Sequence, residues 1–318
     1  MLTQARLTFR LHRFSVISIV FLLGLGSVAA LIVAARFQAI GLISSNGGLM
    51  CQPPAGAPVH YCEDQFNQWQ WLDWNLAPVI LGLLMVAATL SGLLAGVSLV
   101  ASEIEDRTAS VAWSLAPSRT RWLIGRVAPM AILLAVLLVI AAIAGNVLQG
   151  ARHPGVDPLL SFDNDGGRGP TLVALGLVAF TLAVLMGSII GRVFPAFIAS
   201  AVIFFVLIAF GLGARWALVS SQAVIVDQKH WSSNDGSIML EQLVRYPSGE
   251  IGSANGMWWG YDDQGNLTGQ LAGSTMLMWE VPGSAYPLVA GVESGAMLII
   301  AGGFLAASGL VIRRRRPY

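Results

Sequence analysis

Long apolar stretches alternate with short polar segments along most of this chain. Six stretches are long enough to cross a lipid bilayer, since a spanning helix needs about 20 mostly apolar residues. They cover residues 15–35, 77–100, 127–147, 171–190, 196–212 and 286–312. Their apolar residues occupy every helix face rather than one stripe, as in helices surrounded by lipid. The pattern predicts an all-α membrane protein with six transmembrane helices in a single domain that covers residues 1–318.

Two segments outside the predicted spans have patterns of their own. Residues 1–14 mix apolar residues with Arg6, Arg10 and Arg13, which predicts an N-terminal helix lying in the membrane interface. A frayed basic tail is the alternative for this segment. Residues 213–285 are too long for a simple connector. Turn-forming residues flank short aromatic runs there, which predicts a sizeable extracytoplasmic subdomain.

Composition supports the membrane assignment and charge orients the chain. Hydrophobic residues make up 55% of the sequence and charged residues only 11%, and the mean hydropathy is +0.70. With the N-terminus inside, the cytoplasmic segments hold most of the 18 basic residues, including the arginine run at 313–316. This bias predicts that both termini are cytoplasmic. A nucleic-acid partner is excluded, because no polar domain gathers the basic residues.

Cys51 and Cys62, the chain's two cysteines, lie in the first predicted outer loop. An isolated pair in an oxidising compartment is typical of a disulfide. Zinc is a weaker alternative because only His60 is close enough in sequence to add a ligand. The sequence therefore predicts a structural disulfide and no metal site.

Three residues on the predicted outer side are candidates for a substrate path. Trp258 and Trp259 lie in the middle of the 213–285 segment, and Glu293 lies about two turns into the last span. An ionisable residue in a membrane span is a functional candidate by default. The alternative is that Glu293 sits near enough to the outer boundary to reach water. On the second span, Gly92 and Gly96 have the spacing that allows another helix to approach closely.

The loop at 101–126 carries the most informative motif of the chain. It contains Glu103, then Thr108, then Ala112-Trp113-Ser114, and finally Arg119-Thr120-Arg121-Trp122. In order and spacing these residues resemble the coupling region of ABC-2 type transporter permeases, in the form found in bacterial, actinobacterial-like exporters. Two positions depart from that pattern: Ser114 stands where threonine is usual, and Arg107 stands where glycine is usual.

The resemblance implies a function and a set of partners. It implies a permease subunit of an exporter in the bacterial cell membrane, with a second permease copy or a homologous permease beside it. Two copies of a separate ATPase would bind ATP and magnesium and dock on a short coupling helix. The residues implied in that coupling are Glu103, Thr108, Trp113, Arg119, Arg121 and Trp122. The aromatic outer face suggests an amphipathic, lipid-like, peptide or antibiotic cargo.

The chain itself is not expected to be an enzyme or to hold a cofactor. Lys229 is its single lysine, and no phosphate-binding loop of the GxxxxGK[ST] type surrounds it. Two other classes of function stay open. One is a membrane sensor or signalling partner with an extracytoplasmic ligand-binding domain, and the other is an assembly factor of the cell envelope.

Overall fold

The computed structural model describes residues 9, 12–45, 48–115, 118–228, 236–261 and 267–315. Most of the predicted interfacial helix at 1–14 lies outside these residues. His12 directly precedes the first helix, and residues 13 and 14 already belong to that helix.

Eight α-helices form within the described ranges, and we number them α1 to α8. They are Arg13–Ile40, Tyr61–Trp71, Ala77–Glu105, Thr108–Leu115, Arg119–Arg152, Gly169–Ile190, Val193–Ser220 and Tyr286–Arg314. A π-helical turn, Leu72–Leu76, joins α2 to α3. By length and composition six helical segments can cross a membrane, namely α1, the joined α2–α3, α5, α6, α7 and α8. The prediction of six transmembrane helices is confirmed.

Glycine, proline and serine mark several helix ends. Gly41 and Gly191 take φ values of 74° and 68° and end α1 and α6 in the left-handed conformation that glycine favours. Proline lies in the first turns of α3, α6 and α8, where no intrahelical N–H is lost. Ser118 begins α5, and its hydroxyl accepts a hydrogen bond from the Arg121 amide at 3.1 Å.

Helix α6 lies at the centre of the bundle, in contact with α3, α5, α7 and α8, while α1 packs on α3 and α5. The α3–α6 contact depends on the two glycines of α3. A Cβ atom at Gly92 would lie 2.4 Å from the Gly176 carbonyl oxygen, and one at Gly96 would lie 2.3 Å from that of Phe180. The backbones therefore touch where the glycine spacing predicts a close approach.

The helices alternate in direction, so the bundle has two ends. The coupling end comprises α4, the C-terminal ends of α3, α6 and α8, and the N-terminal ends of α1, α5 and α7. The opposite end, which we call the sheet end, carries α2 and the strands. Helix α7 continues to Ser220, beyond the predicted span at 196–212, before the chain leaves the bundle.

The segment between α7 and α8 folds mainly as strands. A four-stranded antiparallel sheet has the order β3-β8-β4-β5, and β6 and β7 form a separate hairpin. The strands are β3 Val224–Asp227, β4 Ile238–Arg245, β5 Ile251–Ser253, β6 Trp259–Tyr261, β7 Leu267–Gly269 and β8 Thr275–Val281. Strand β8 is central, pairing Val224 with Glu280 on one side and Arg245 with Thr275 on the other. The fold is thus a helical membrane bundle with a small β-subdomain added.

A second hairpin and a disulfide lie between α1 and α3. Strands β1 (Ile43–Ser45) and β2 (Gly48–Met50) pair directly after α1; the strand numbers follow chain order. Cys51 follows β2 and is bonded to Cys62 in the first turn of α2. The predicted disulfide is confirmed, and it fastens α2 to the end of this hairpin.

Candidate coupling site

Helix α4 folds back from the end of α3 through a two-residue turn. Arg107 in this turn has a φ of 58°, the left-handed conformation that glycine adopts most easily. The Thr108 hydroxyl then donates a hydrogen bond to the Glu103 carbonyl at 3.1 Å. The turn thus keeps a glycine-like geometry even though arginine occupies the position.

A buried ion pair joins the end of α3 to α5. Arg126 Nη2 lies 3.0 Å from Glu103 Oε1, and the two side chains are only 14% and 10% exposed. His12 is buried next to them, and its burial, together with the Arg126 charge, lowers its pKa. Glu103 therefore faces the bundle, where its loss would leave Arg126 buried without its partner.

Trp113 fixes α4 to the first turn of α5. Its ring meets that of Trp122 edge to face, with 5.8 Å between the ring centres. Arg119 Cζ lies 4.9 Å from the centre of the Trp113 ring, within range of a cation–π interaction. Trp122 is buried, whereas Trp113 is half-buried, with its ring nitrogen inside.

Arg119 also connects α5 to the C-terminal end of α8. Its Nη1 donates to the carbonyl oxygens of Ile312 at 3.5 Å and Arg313 at 3.4 Å, and to that of Arg315. In the opposite direction, the Arg313 side chain of α8 donates a hydrogen bond to the Thr120 hydroxyl of α5 at 2.8 Å. A cation at the C-terminal end of a helix satisfies free carbonyls and opposes the negative end of its dipole.

Two further helix ends are capped by charges that sequence reasoning missed. The Glu105 carboxylate accepts a hydrogen bond from the Val193 amide at the start of α7, at 2.8 Å. Arg315 donates to the carbonyls of Ser188 and Ile189 at the end of α6. The arginine run that contains Arg315 indicated only orientation in the sequence, because its partners are far away along the chain.

The structure brings the six predicted coupling residues to one end of the bundle in different environments. Glu103 and Trp122 are buried, and Arg119 is engaged with α8. Arg121 is exposed. Of these residues, Arg121 is thus available at the surface, and Trp113 is half-buried.

The sheet end holds a separate charge network that includes Glu293. Arg215 on α7 donates to Glu293 on α8 at 2.8 Å and to Asp165 in the turn that precedes α6. Arg168 beside them is fully buried. It donates to the Asp163 carbonyl at 2.9 Å, and its Cζ lies 5.2 Å from the centre of the Tyr286 ring. Glu293 thus belongs to an ion-pair network linking three elements.

The two tryptophans of the predicted substrate path lie elsewhere. Trp258 is 73% exposed and directly precedes the β6–β7 hairpin, and Trp259 pairs with Gly269 within that hairpin. Glu293 lies in the helix bundle. The three residues therefore belong to two different parts of the sheet end.

These features define a multi-pass membrane protein in which a short surface helix is tied to the ends of the spanning helices. The chain belongs to a family described as ABC-2 membrane transporter related, whose model matches residues 22–215. That match includes α4 and every predicted coupling residue, and it ends before the β-subdomain and α8. Comparison with the curated proteins returns no match, nor does comparison with the solved structures.

Proposed function

We propose that this chain is the permease subunit of an ABC exporter and that a separate ATPase drives it by binding at the coupling end. The observation that carries the proposal is the attachment of α4 to the spanning helices. Helix α4 contacts α5 through Trp113 and Trp122 and follows α3 through a turn closed by Thr108. A force applied to α4 would therefore reach two spanning helices directly.

The helix-end contacts extend this path to the rest of the bundle. Arg119 links α5 to α8, Glu105 links α3 to α7, and Arg315 links α8 to α6. Because each contact joins a side chain to the terminal backbone of another helix, the helix ends would move as a connected set. Closure of two ATPases below a pair of permeases would then change the spacing of the spans.

The exposed residues of this end suggest how a partner is recognised. Arg121 is exposed and can pair with a carboxylate, and the surface part of Trp113 can enter an apolar pocket. Glu103, Arg119 and Trp122 act differently, since their contacts hold the coupling helix in place. Arg121 is thus assigned to docking alone, whereas Trp113 is assigned to both docking and attachment, because it also contacts Trp122.

The remaining features of the proposal follow from the family. Six spans per chain suggest a dimer of permeases with two ATPases, which would bind ATP and magnesium. The cargo is proposed to be amphipathic, with lipid-like, peptide and antibiotic compounds as the candidate classes. The exposed ring of Trp258 supports an outer face that contacts such a molecule.

The decisive experiment reverses the charge of Arg121 and measures capture of an ATPase. Tagged full-length chain is purified from its native membranes, and co-purified proteins are tested for a P-loop ATPase and for ATP hydrolysis. Arg121→Glu should reduce capture at least about tenfold, which corresponds to a loss of roughly 1.4 kcal/mol of binding free energy. Trp113→Ala should reduce it as well, but that variant also removes the contact with Trp122, so Arg121→Glu is the cleaner test.

The matched control is Arg245→Glu, which reverses an exposed arginine on β4 at the opposite end. Arg152 is unsuitable as a control because it forms an ion pair with Asp73 and is largely buried. Equal ATPase capture by wild type, Arg121→Glu and Arg245→Glu would show that α4 is not the docking site. The sensor hypothesis would then be favoured.

A further inference from the structure

A groove at the sheet end separates the last turns of α1 from α2 and the π-helical turn. Its volume is about 540 Å³, within the range of about 300–1,000 Å³ that is usual for small-molecule sites. Ile32, Val33, Leu72 and Leu76 make one part of the lining apolar, and Arg36, Gln65 and Gln68 provide its polar groups. Such a lining matches a molecule that is apolar at one end and polar at the other.

Arg36 has no hydrogen bond or ion pair with the residues that the structure describes, although it lies in the wall of this groove. Arg36 is exposed and lies just before the last turn of α1, which contains no basic residue. The helix dipole therefore does not account for its charge, and two glutamine amides line the same groove. The acidic residues of α2, Glu63 and Asp64, are not among the lining residues.

Tryptophans place the groove at the level of the lipid headgroups. Trp71 lines it and is 58% exposed, and Trp74 on the following turn is 71% exposed. Exposed tryptophans next to a spanning helix are typical of the membrane–water interface. Ile32, one turn before Arg36, is 57% exposed and lies on the hydrocarbon side of the arginine. The groove therefore runs from headgroup depth towards the acyl chains.

We infer that this groove binds an anionic phospholipid of the surrounding bilayer. The Arg36 guanidinium would hold the phosphate, since its planar set of donors matches phosphate oxygens in pairs. Gln65 and Gln68 would hydrogen-bond the polar part of the headgroup, and Val33 and Leu76 would contact the start of an acyl chain. The bound lipid would fill the space between α1 and α2.

Native mass spectrometry of the full-length chain in detergent tests this inference, with phosphatidylglycerol and phosphatidylcholine of equal chain length as probes. Wild type should prefer phosphatidylglycerol, and Arg36→Gln should weaken phosphatidylglycerol binding at least about tenfold, as expected for a charge-assisted hydrogen bond. Arg36→Lys should restore part of the affinity. Arg245→Gln, which removes an exposed arginine outside the groove, should leave the affinity unchanged.

A second variant tests the apolar part of the groove. Leu76→Trp keeps Arg36 and fills the space beside it, so it should weaken the binding of both lipids. Unchanged phosphatidylglycerol binding by Arg36→Gln or by Leu76→Trp would overturn the inference. Complete displacement of the lipid by inorganic phosphate would also overturn it, because the groove would then recognise a free anion. None of these outcomes depends on an ATPase, so this inference and the proposed function can fail separately.

Discussion

Arg107 adopts a backbone conformation that few side chains occupy. Its φ of 58° costs an L-residue about 1–2 kcal/mol relative to the right-handed region, and glycine avoids this cost. We expect Arg107→Gly to unfold at a higher temperature than Arg107→Val, whose branched side chain is least compatible with positive φ. Both variants lack the arginine side chain, so the difference between their unfolding temperatures reports the cost of a positive φ at this position. The measurement is the thermal unfolding midpoint in detergent, and equal midpoints would contradict the assigned turn.

At the same scale, the sequence provided candidate coupling residues but could not provide their contacts. The resemblance to ABC-2 permeases predicted a short helix around Trp113, and the structure places the side chains of Trp113, Arg119 and Trp122 together. Arg119, however, also contacts backbone carbonyls around Arg313. Arg119 and Arg313 are 194 positions apart, so no short sequence motif contains both of them. For the same reason Arg126, the partner of Glu103, was not recognised.

The packing of α3 against α6 gives a prediction at the scale of elements. A Cβ atom at Gly96 would lie 2.3 Å from the Phe180 carbonyl oxygen, so Gly96→Ala must push the two helices apart. Overpacking of this kind costs about 1–3 kcal/mol, partly offset by the better helix propensity of alanine. We expect a lower thermal unfolding midpoint for Gly96→Ala and a smaller fraction of folded protein after extraction.

Gly82 offers a matched control in the same helix. A Cβ atom there would have no neighbour within 4 Å, so Gly82→Ala should be neutral or slightly stabilising. If Gly96→Ala and Gly82→Ala had the same midpoint, the close approach of α3 and α6 would be wrong. Comparing the two variants removes the effect of helix propensity, which is common to both.

Helices and strands differed in how well the sequence revealed them. The spans were predictable because each must be apolar over its whole length to lie in lipid, and several of their ends carry glycine or proline. Strands such as β4 and β8 were not, because their pairing joins residues from 30 positions apart (Arg245 and Thr275) to 43 positions apart (Ile238 and Val281). A bulge between Met239 and Glu241 also interrupts the pairing. The turn at Asn255-Gly256 was recognisable, and Gly256 does take a positive φ of 76° there.

Among the described residues, the charged contacts lie at the two ends of the molecule, with an apolar bundle between them. At the coupling end, charges cap helix ends and attach α4. At the sheet end, Arg215 joins α7 to α8 and to the turn before α6, and Arg168 organises the loop between α5 and α6. Glu293 thus connects α8 to α7 through its ion pair with Arg215.

The structure also refines the argument for orientation. Some arginines at the coupling end have structural roles, since Arg119 and Arg315 cap helices. At the sheet end, Arg152 and Arg215 are paired with carboxylates. Within the described ranges, more of the exposed arginines lie at the coupling end than at the sheet end, which has Arg36 and Arg245. Those at the coupling end are Arg13, Arg107, Arg121, Arg192, Arg313 and Arg314. Since uncompensated arginines close to the spans favour the cytoplasmic side, we predict that the coupling end is cytoplasmic.

Cysteine labelling in intact cells tests this orientation. Ser118 lies exposed at the start of α5, and Ser248 lies exposed in the turn between β4 and β5, so each can be replaced singly by cysteine. Cys51 and Cys62 are bonded to each other and provide no competing thiol. A membrane-impermeant maleimide should label Ser248→Cys in intact cells and should label Ser118→Cys only after permeabilisation. The reverse pattern would invert the topology and, with it, remove the coupling end from reach of a cytoplasmic ATPase.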